Sequence, residues 1–157
     1  MTGGAYSIPE VQRLLSVLAA GRCCAEIGTA FGIGAAAIAS TAASLVTVEI
    51  DPKRVAQARE ALADFANVEV LEGDWRDELP PRAPFELLFL DGGNAKDDPG
   101  VVELAVVGGL FVLDDFTAGR EDLEARRKLW LGGALPVVAT EVMTTPEMSA
   151  ILATRIR

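Results

Sequence analysis

Apolar residues along this chain recur with two periods. Val11, Leu14, Leu15 and Leu18 fall at helical spacing after a Gly3-Gly4 start, with Ser7 and Pro9 as the helix entry and Gly21 as its end. Residues 22–27 form a short apolar run closing on a glycine turn. Residues 32–43 are small, alanine-rich and helical, so the two together predict strand, turn and helix. A second buried strand follows at 45–50. Pro52 then stands in the first turn of a helix, where its missing N–H costs nothing, and Val55, Ala58, Ala61, Leu62 and Phe65 supply the inward stripe.

Residues 67–71 predict a third strand. The stretch 77–84 holds three prolines, too many for a full helix, so this crossover is abbreviated. Residues 85–90 are almost wholly apolar, as suits a strand buried on both faces, and they end at Asp91. A polar loop over 92–100, a short helix over 101–107 and a fifth strand over 109–113 come next, the strand ending in Asp114-Asp115. A helix over 120–131 precedes two apolar or alternating runs, 137–143 and 149–156. Around Thr144-Thr145-Pro146 these predict a strand pair that closes the sheet.

Strands alternating with helices in this way predict an α/β, Rossmann-like doubly wound, mostly parallel seven-stranded sheet with an antiparallel last strand, built as one domain over 1–157. Such a sheet binds ligands at the carboxyl ends of its strands. The conspicuous carboxylates fall there: Glu26, Glu49, Asp74, Asp91, Asp114 and Asp115.

Composition narrows the chemistry. Half of the 157 residues are apolar, enough for a core with helices on both faces of a sheet. The formal charge of −9 leaves no broad basic surface to neutralise phosphates, so nucleic acid is a disfavoured partner. The basic residues within 120–128 are interleaved with Glu121, Asp122 and Glu124, as on a solvated helix face. Histidine is absent, which excludes a Ser-His-Asp triad, a Cys-His pair and a histidine-ligated metal. Adjacent Cys23 and Cys24 fit neither a disulfide staple nor a zinc pattern and read as buried strand residues in a reducing cytoplasm. Residues 1–7 lack the features of a signal peptide, and no apolar run is long enough to span a bilayer, so the expectation is a soluble cytoplasmic protein without a membrane partner.

Three motifs carry the candidate chemistry. In Glu26-Ile27-Gly28-Thr29-Ala30-Phe31-Gly32-Ile33-Gly34 a strand end turns into a helix, and Gly28 and Gly32 let a ligand approach backbone amides. A dinucleotide fingerprint fails there, because Ala30 and Ile33 occupy its later glycine positions. Glu49, followed by Ile50, ends the second strand about twenty residues on, where a carboxylate can accept both hydroxyl protons of a ribose. Gly73-Asp74-Trp75 follows the third strand and offers an acceptor for an adenine amino group beside a flat ring; Asp74 alone reads equally as a helix cap.

These motifs, together with Val48-Glu49-Ile50-Asp51-Pro52, Phe89-Leu90-Asp91 and the run from Gly108-Gly109 to Asp114-Asp115, resemble the class I S-adenosylmethionine-dependent methyltransferases. Within them the chain is most similar to the catechol and caffeoyl-coenzyme A type O-methyltransferases, in order and over nearly its whole length. The resemblance implies that Glu26 and the turn Gly28-Thr29-Ala30-Phe31-Gly32 hold the methionine part of S-adenosylmethionine, Glu49 and Ile50 the ribose, and Gly73, Asp74 and Trp75 the adenine, with Asp91 beside them. It also implies a divalent cation such as Mg2+ on Asp91, Asp114 and Asp115, with Asp115 replacing the family's asparagine; the alternative is that Asp114 and Asp115 cap the next turn while Asp91 orients cofactor.

The chain departs from the family in three places. Asn94 stands where the family often has lysine; Lys96 lies close enough to act as base or charge-positioning group, or is a solvated loop lysine. Gly34 replaces a serine expected to reach the cofactor. About twenty residues precede the first strand, fewer than those relatives use to cover substrate, which leaves the acceptor pocket open or completed by a second subunit. The resemblance suggests a homodimer. Trp130 and Leu131 either line the acceptor site or pack the last helix, and packing is favoured.

The function so implied is methyl transfer to a hydroxyl oxygen of a small molecule, with Lys96 or Asp115 as base if no cation binds. The competing readings are an RNA-modifying methyltransferase, a non-catalytic adenosine-ligand-binding domain, and a nicotinamide oxidoreductase.

Overall fold

The computed structural model describes residues 6–117 and 120–157; the Gly3-Gly4 start lies outside them. In chain order the elements are α1 (Pro9–Ala19), β1 (Cys23–Ile27), α2 (Ile33–Ala39), β2 (Ser44–Glu49), α3 (Pro52–Ala61), β3 (Val68–Glu72), α4 (Trp75–Glu78), β4 (Phe85–Leu90), β5 (Ala105–Thr117), α5 (Glu124–Leu131), β6 (Val137–Met143) and β7 (Met148–Arg155). The strands lie in the order β3-β2-β1-β4-β5-β7-β6. All pair in parallel except β7, which runs antiparallel to both β5 and β6. This is the α/β, doubly wound, seven-stranded arrangement that the alternation of elements predicts.

Two apolar layers hold the sheet. On one face Val11, Leu15, Ala35, Ile38, Ala58 and Leu62, from α1, α2, α3 and the turn after α3, pack on Cys24, Leu45, Leu87, Phe89 and Val112. On the other, Leu79, Val101, Val102, Leu123 and Trp130 cover Ala25, Val48, Leu88, Leu90, Phe111 and Leu113. The centre of the sheet is therefore buried on both sides, which is why β4 reads as an unbroken apolar run. Among the described residues no helix is long and apolar enough to cross a membrane.

Several boundaries differ from the expectation, each for a local reason. The alanine-rich helix stops at Ala39 rather than 43, because the Asn67 side-chain amide donates to the carbonyls of Ala39 and Ala42 at 2.9 and 3.0 Å and takes over the end of the helix. The helix expected over 101–107 is a 3₁₀ segment, Pro99–Leu104. Ala105, Val106 and Val107 join β5, where Ala105 pairs with Phe85 and the β-branched valines suit a strand. β5 also runs past Asp115, since Phe116 and Thr117 pair with Ser149 and Met148. The first turn of the helix expected from 120 is the 3₁₀ segment Glu121–Leu123. The 77–84 crossover is abbreviated, to the four-residue α4 and a 3₁₀ turn at Pro80–Arg82. Cys24 is buried, and burial pushes its thiol up to about 12, but Cys23 is exposed: it opens β1 ahead of the covered centre of the sheet.

The chain runs outward from β1 through β2 to β3 and then crosses back to β4 on the other side of β1. At this reversal the turns after β1 and β4 touch. The Gly92 N–H donates to the Ile27 carbonyl at 2.6 Å, and a Cβ on Gly28 (φ 93°) would lie 2.5 Å from the Gly92 Cα. Gly28→Ala is expected to cost about 2–4 kcal/mol in urea unfolding, from collision plus positive φ. Gly21→Ala, at φ 70° with open space around it, should cost only the backbone part, about 1–2 kcal/mol.

Candidate active site

A cleft of about 410 Å³ opens where the chain reverses, at the carboxyl ends of the central strands. Its size falls in the lower part of the range for small-molecule sites, about 300–1,000 Å³. Of the residues singled out in the sequence, Gly28, Ala30, Glu49, Ile50, Gly73, Asp74, Trp75, Asp91 and Asp115 line it. Asn94, at the family's lysine position, also lines it, as do Arg54, Arg76 and Gly92, which were missed. Only their nearness to the motifs, Arg76 two residues after Asp74 and Gly92 next to Asp91, signalled them in advance.

Glu49 is fixed by the backbone. One carboxylate oxygen accepts from the Ala30 N–H at 2.9 Å, and the other from the N–H groups of Ile50 and Asp51 at 3.0 and 3.1 Å. Three bonds leave the ionised group with acceptor capacity on the cleft wall. Asp74 caps α4, its Oδ1 accepting from the Arg76 N–H at 2.9 Å, and the residue also lines the cleft. The Arg76 guanidinium lies 4.8 Å from the centre of the Trp75 ring and 2.9 Å from Asp98, and the buried Trp75 indole N–H has no hydrogen-bond partner.

Other residues of the glycine motif support the site from outside the cleft. Phe31 stacks on Tyr6 with ring centres 5.6 Å apart, and Gly32 is the left-handed N-cap of α2, against Leu62. Thr29 is buried, with its hydroxyl 2.6 Å from that of Thr47. Glu26 is 1 % exposed and lies beneath the turn, where Oε2 accepts from the Thr47 hydroxyl at 2.5 Å and Oε1 has no partner among the described residues. Burial pushes its carboxyl well above the usual range, the Thr47 bond opposing, and Asp91, Asp114 and Glu49 add to the rise. Glu26 and Thr29 do not line the cleft and support its glycine turn from below. Gly34 follows from the same packing: a Cβ there would lie 2.6 Å from Glu26 Oε1 and 2.9 Å from the Phe89 ring, so the family's serine has no room.

Asp91 and Asp115, which line the cleft, converge with the buried Asp114, one oxygen of each within 4.8 Å of the others. Asp114 and Asp115 sit where the β5–β7 register shifts, between Leu113 and Phe116, and Asp115 is held at φ 65°. Ala30, the other described non-glycine residue with positive φ, also lines the cleft, so local strain gathers at this site. Burial and the charge of Asp91 push the Asp114 carboxyl up to about 8, and burial raises Asp91, with Lys96 opposing both. Lys96 is no solvated loop residue. It is 4 % exposed, and its ammonium donates to the Asp114 carbonyl at 2.9 Å and lies 3.6 Å from Asp114 Oδ1. It does not line the cleft, so of its two expected roles the geometry suits charge positioning rather than that of a base.

The three carboxylates are the hard oxygen donors that a divalent cation prefers. The Lys96 ammonium stands against one of them, Asp114, as a compensating charge. Trp130 is buried against Phe111, and its indole N–H donates to the Lys96 carbonyl at 2.9 Å, which places it in packing as expected; Leu131 is exposed. Two of the three basic residues of α5 are engaged with acids: Arg126 with Asp97, and Arg127 with Glu124 and Glu141.

No protein-family model matches the chain. It is 34 % identical over 89 residues to a protein-L-isoaspartate O-methyltransferase of Methanoculleus marisnigri, covering 55 % of this chain and 40 % of that protein. It is 31 % identical over 112 residues to that of Azorhizobium caulinodans, covering 70 % and 51 %. The chain thus spans about half the length, or less, of these curated relatives. Among solved structures it is similar to the O-methyltransferase TomG of Streptomyces achromogenes in complex with S-adenosylmethionine, with a TM-score of 0.78, 24 % identity and coverage of 99 % of this chain and 83 % of that one. The Bacillus cereus O-methyltransferase in complex with S-adenosylhomocysteine gives 0.76 and 20 %, with coverage of 96 % and 83 %. A tRNA (m1A58) methyltransferase of Aquifex aeolicus gives 0.77 and 16 %, with coverage of 100 % and 72 %. The fold is that of the class I S-adenosylmethionine-dependent methyltransferases.

The Glu26 environment predicts a pH effect on stability. The folded protein keeps Glu26 protonated above pH 4.5 whereas the unfolded chain releases the proton, so wild-type stability falls as pH rises above that value. Glu26→Gln removes this loss. In urea titrations its stability relative to wild type should rise by up to about 1.4 kcal/mol per pH unit above 4.5; a difference that does not change with pH contradicts the assignment.

Proposed function

We propose that this chain binds S-adenosylmethionine in the cleft and transfers its methyl group to a hydroxyl oxygen of a small molecule. The observation that carries the reading is the charge of the cleft. Glu49, Asp74, Asp91 and Asp115 line it against the two cations Arg54 and Arg76, an excess of acid that favours a cationic adenosyl ligand and opposes the diphosphate of a dinucleotide. The O-methyltransferase names of the relatives and of two structural neighbours support an oxygen acceptor.

When bound, the cofactor supplies an electrophilic methyl on a sulfonium. In this reading Glu49 accepts the ribose hydroxyls, held in place by its three amide bonds. Asp74 accepts from the adenine amino group beside Trp75, and Ile27, Val48 and Ile50 form the apolar walls that exclude water. The methionine part of the cofactor lies against the Gly28 turn, where Gly28 and Ala30 line the cleft. Asp115 is the candidate base that takes the acceptor's hydroxyl proton, since it lines the cleft and Lys96 does not. Catalysis then rests mainly on alignment of acceptor oxygen, methyl and sulfur, which can contribute several powers of ten.

Calorimetric titration with S-adenosylhomocysteine tests the binding step. Wild type should bind, and Glu49→Ala or Asp74→Ala should weaken binding about 10-fold or more, the loss of charge-assisted hydrogen bonds. Transfer of labelled methyl to a panel of catechols tests the chemistry, with Asp115→Ala expected to lower kcat about 100-fold. Binding of S-adenosylhomocysteine without turnover on any hydroxyl acceptor would leave a binding domain and remove the enzyme reading.

A further inference from the structure

We infer that the Lys96 ammonium is a built-in cation of the acidic cluster, standing in for a divalent metal ion among Asp91, Asp114 and Asp115, so that methyl transfer by this chain needs no added metal. The inference deepens the reading above and rests on it only for that last consequence.

Three carboxyls with oxygens within 4.8 Å of one another oppose each other's ionisation, and a positive charge beside them relieves that repulsion. Lys96 brings one from inside the chain. Its ammonium bonds the Asp114 carbonyl at 2.9 Å and lies 3.6 Å from Asp114 Oδ1, with both side chains 5 % exposed or less. Among the described residues Asp114 Oδ1 accepts no hydrogen bond, and the ammonium is the cation beside it.

The lysine is held in place by α5. The 3₁₀ turn that carries it, Gly93–Asp97, is braced at two points. The Trp130 indole N–H donates to the Lys96 carbonyl at 2.9 Å, and the Arg126 guanidinium forks onto Asp97 at 2.7 and 2.8 Å. Turn and helix together aim the side chain at the cluster. A divalent ion needs carboxylate oxygens as ligands at about 2.0–2.6 Å, and an ammonium offers it no lone pair, only like charge. The lysine and a metal therefore compete for the same carboxylates, and removal of the lysine's charge should open the cluster to an ion.

The test is direct uptake of Mn2+, read from the electron paramagnetic resonance signal of the free ion, without cofactor or acceptor. Wild type should leave the signal unchanged at equimolar ion. Lys96→Met should take up one Mn2+ per chain, about 10-fold or more tighter than wild type, and Asp114→Asn in that background should abolish the uptake. Lys96→Gln, which keeps an N–H donor for the Asp114 carbonyl, is read in the same way if the methionine variant does not melt cooperatively. One Mn2+ per wild-type chain, lost in Asp114→Asn, would overturn the inference, as would folded Lys96 variants that bind no better than wild type. S-adenosylhomocysteine titration of wild type, run separately, reports on the methyltransferase reading whatever the Mn2+ result.

Discussion

Negative charge gathered at one edge of the sheet is the constraint around which this protein is arranged. Parallel strands bring Glu49, Asp91, Asp114 and Asp115 to the same edge: Glu49 ends β2, Asp91 follows β4, and Asp114 and Asp115 follow Leu113, the β5 partner of Leu90. Two like charges about 4 Å apart repel by roughly 4 kcal/mol at an effective dielectric constant near 20. Glu49 is answered by three backbone N–H groups and the Asp91–Asp114–Asp115 cluster by a buried ammonium, while Glu26 stays neutral beneath them. A cleft walled in this way is suited to a positively charged ligand.

The supports of this edge are rigid. Gly28 and Gly92 bring the turns after β1 and β4 into backbone contact, so the two sides of the cleft cannot drift apart independently. The irregularity in β5 turns Asp114 and Asp115 out of the regular alternation of the strand, as bulges beside functional sites commonly do. From the far side, α5 fixes the turn that carries Lys96 through one indole and one guanidinium. Helix α5 thus acts on the cleft without lining it.

Seven strands in the right order of type, and most of the cleft, were legible in the sequence. Periodicity exposed the strands, and the strand-end carboxylates with the glycine turn marked Glu49, Asp74 and Asp91 before any coordinates. What stayed hidden depended on contacts distant in sequence. The early end of α2 is set by Asn67, 28 residues from Ala39. The extension of β5 depends on β7 as pairing partner, and the burial of Lys96 on Trp130, 34 residues away. Lys96 sits two positions past the place where the family often has lysine, so spacing alone could not tell a site residue from a loop residue. Glu26 was visible as a strand-end acid; that it lies under the turn rather than in the cleft follows from Gly34 and Phe89 closing over it.

The central claim, an acidic cleft that selects a cationic adenosyl ligand, is tested most directly by parallel calorimetric titrations of the wild-type protein with S-adenosylmethionine and with NAD. The account predicts saturable 1:1 binding of S-adenosylmethionine at least about 100-fold tighter than that of NAD. Equal or tighter binding of NAD, or no uptake of either ligand by the folded protein, would contradict it.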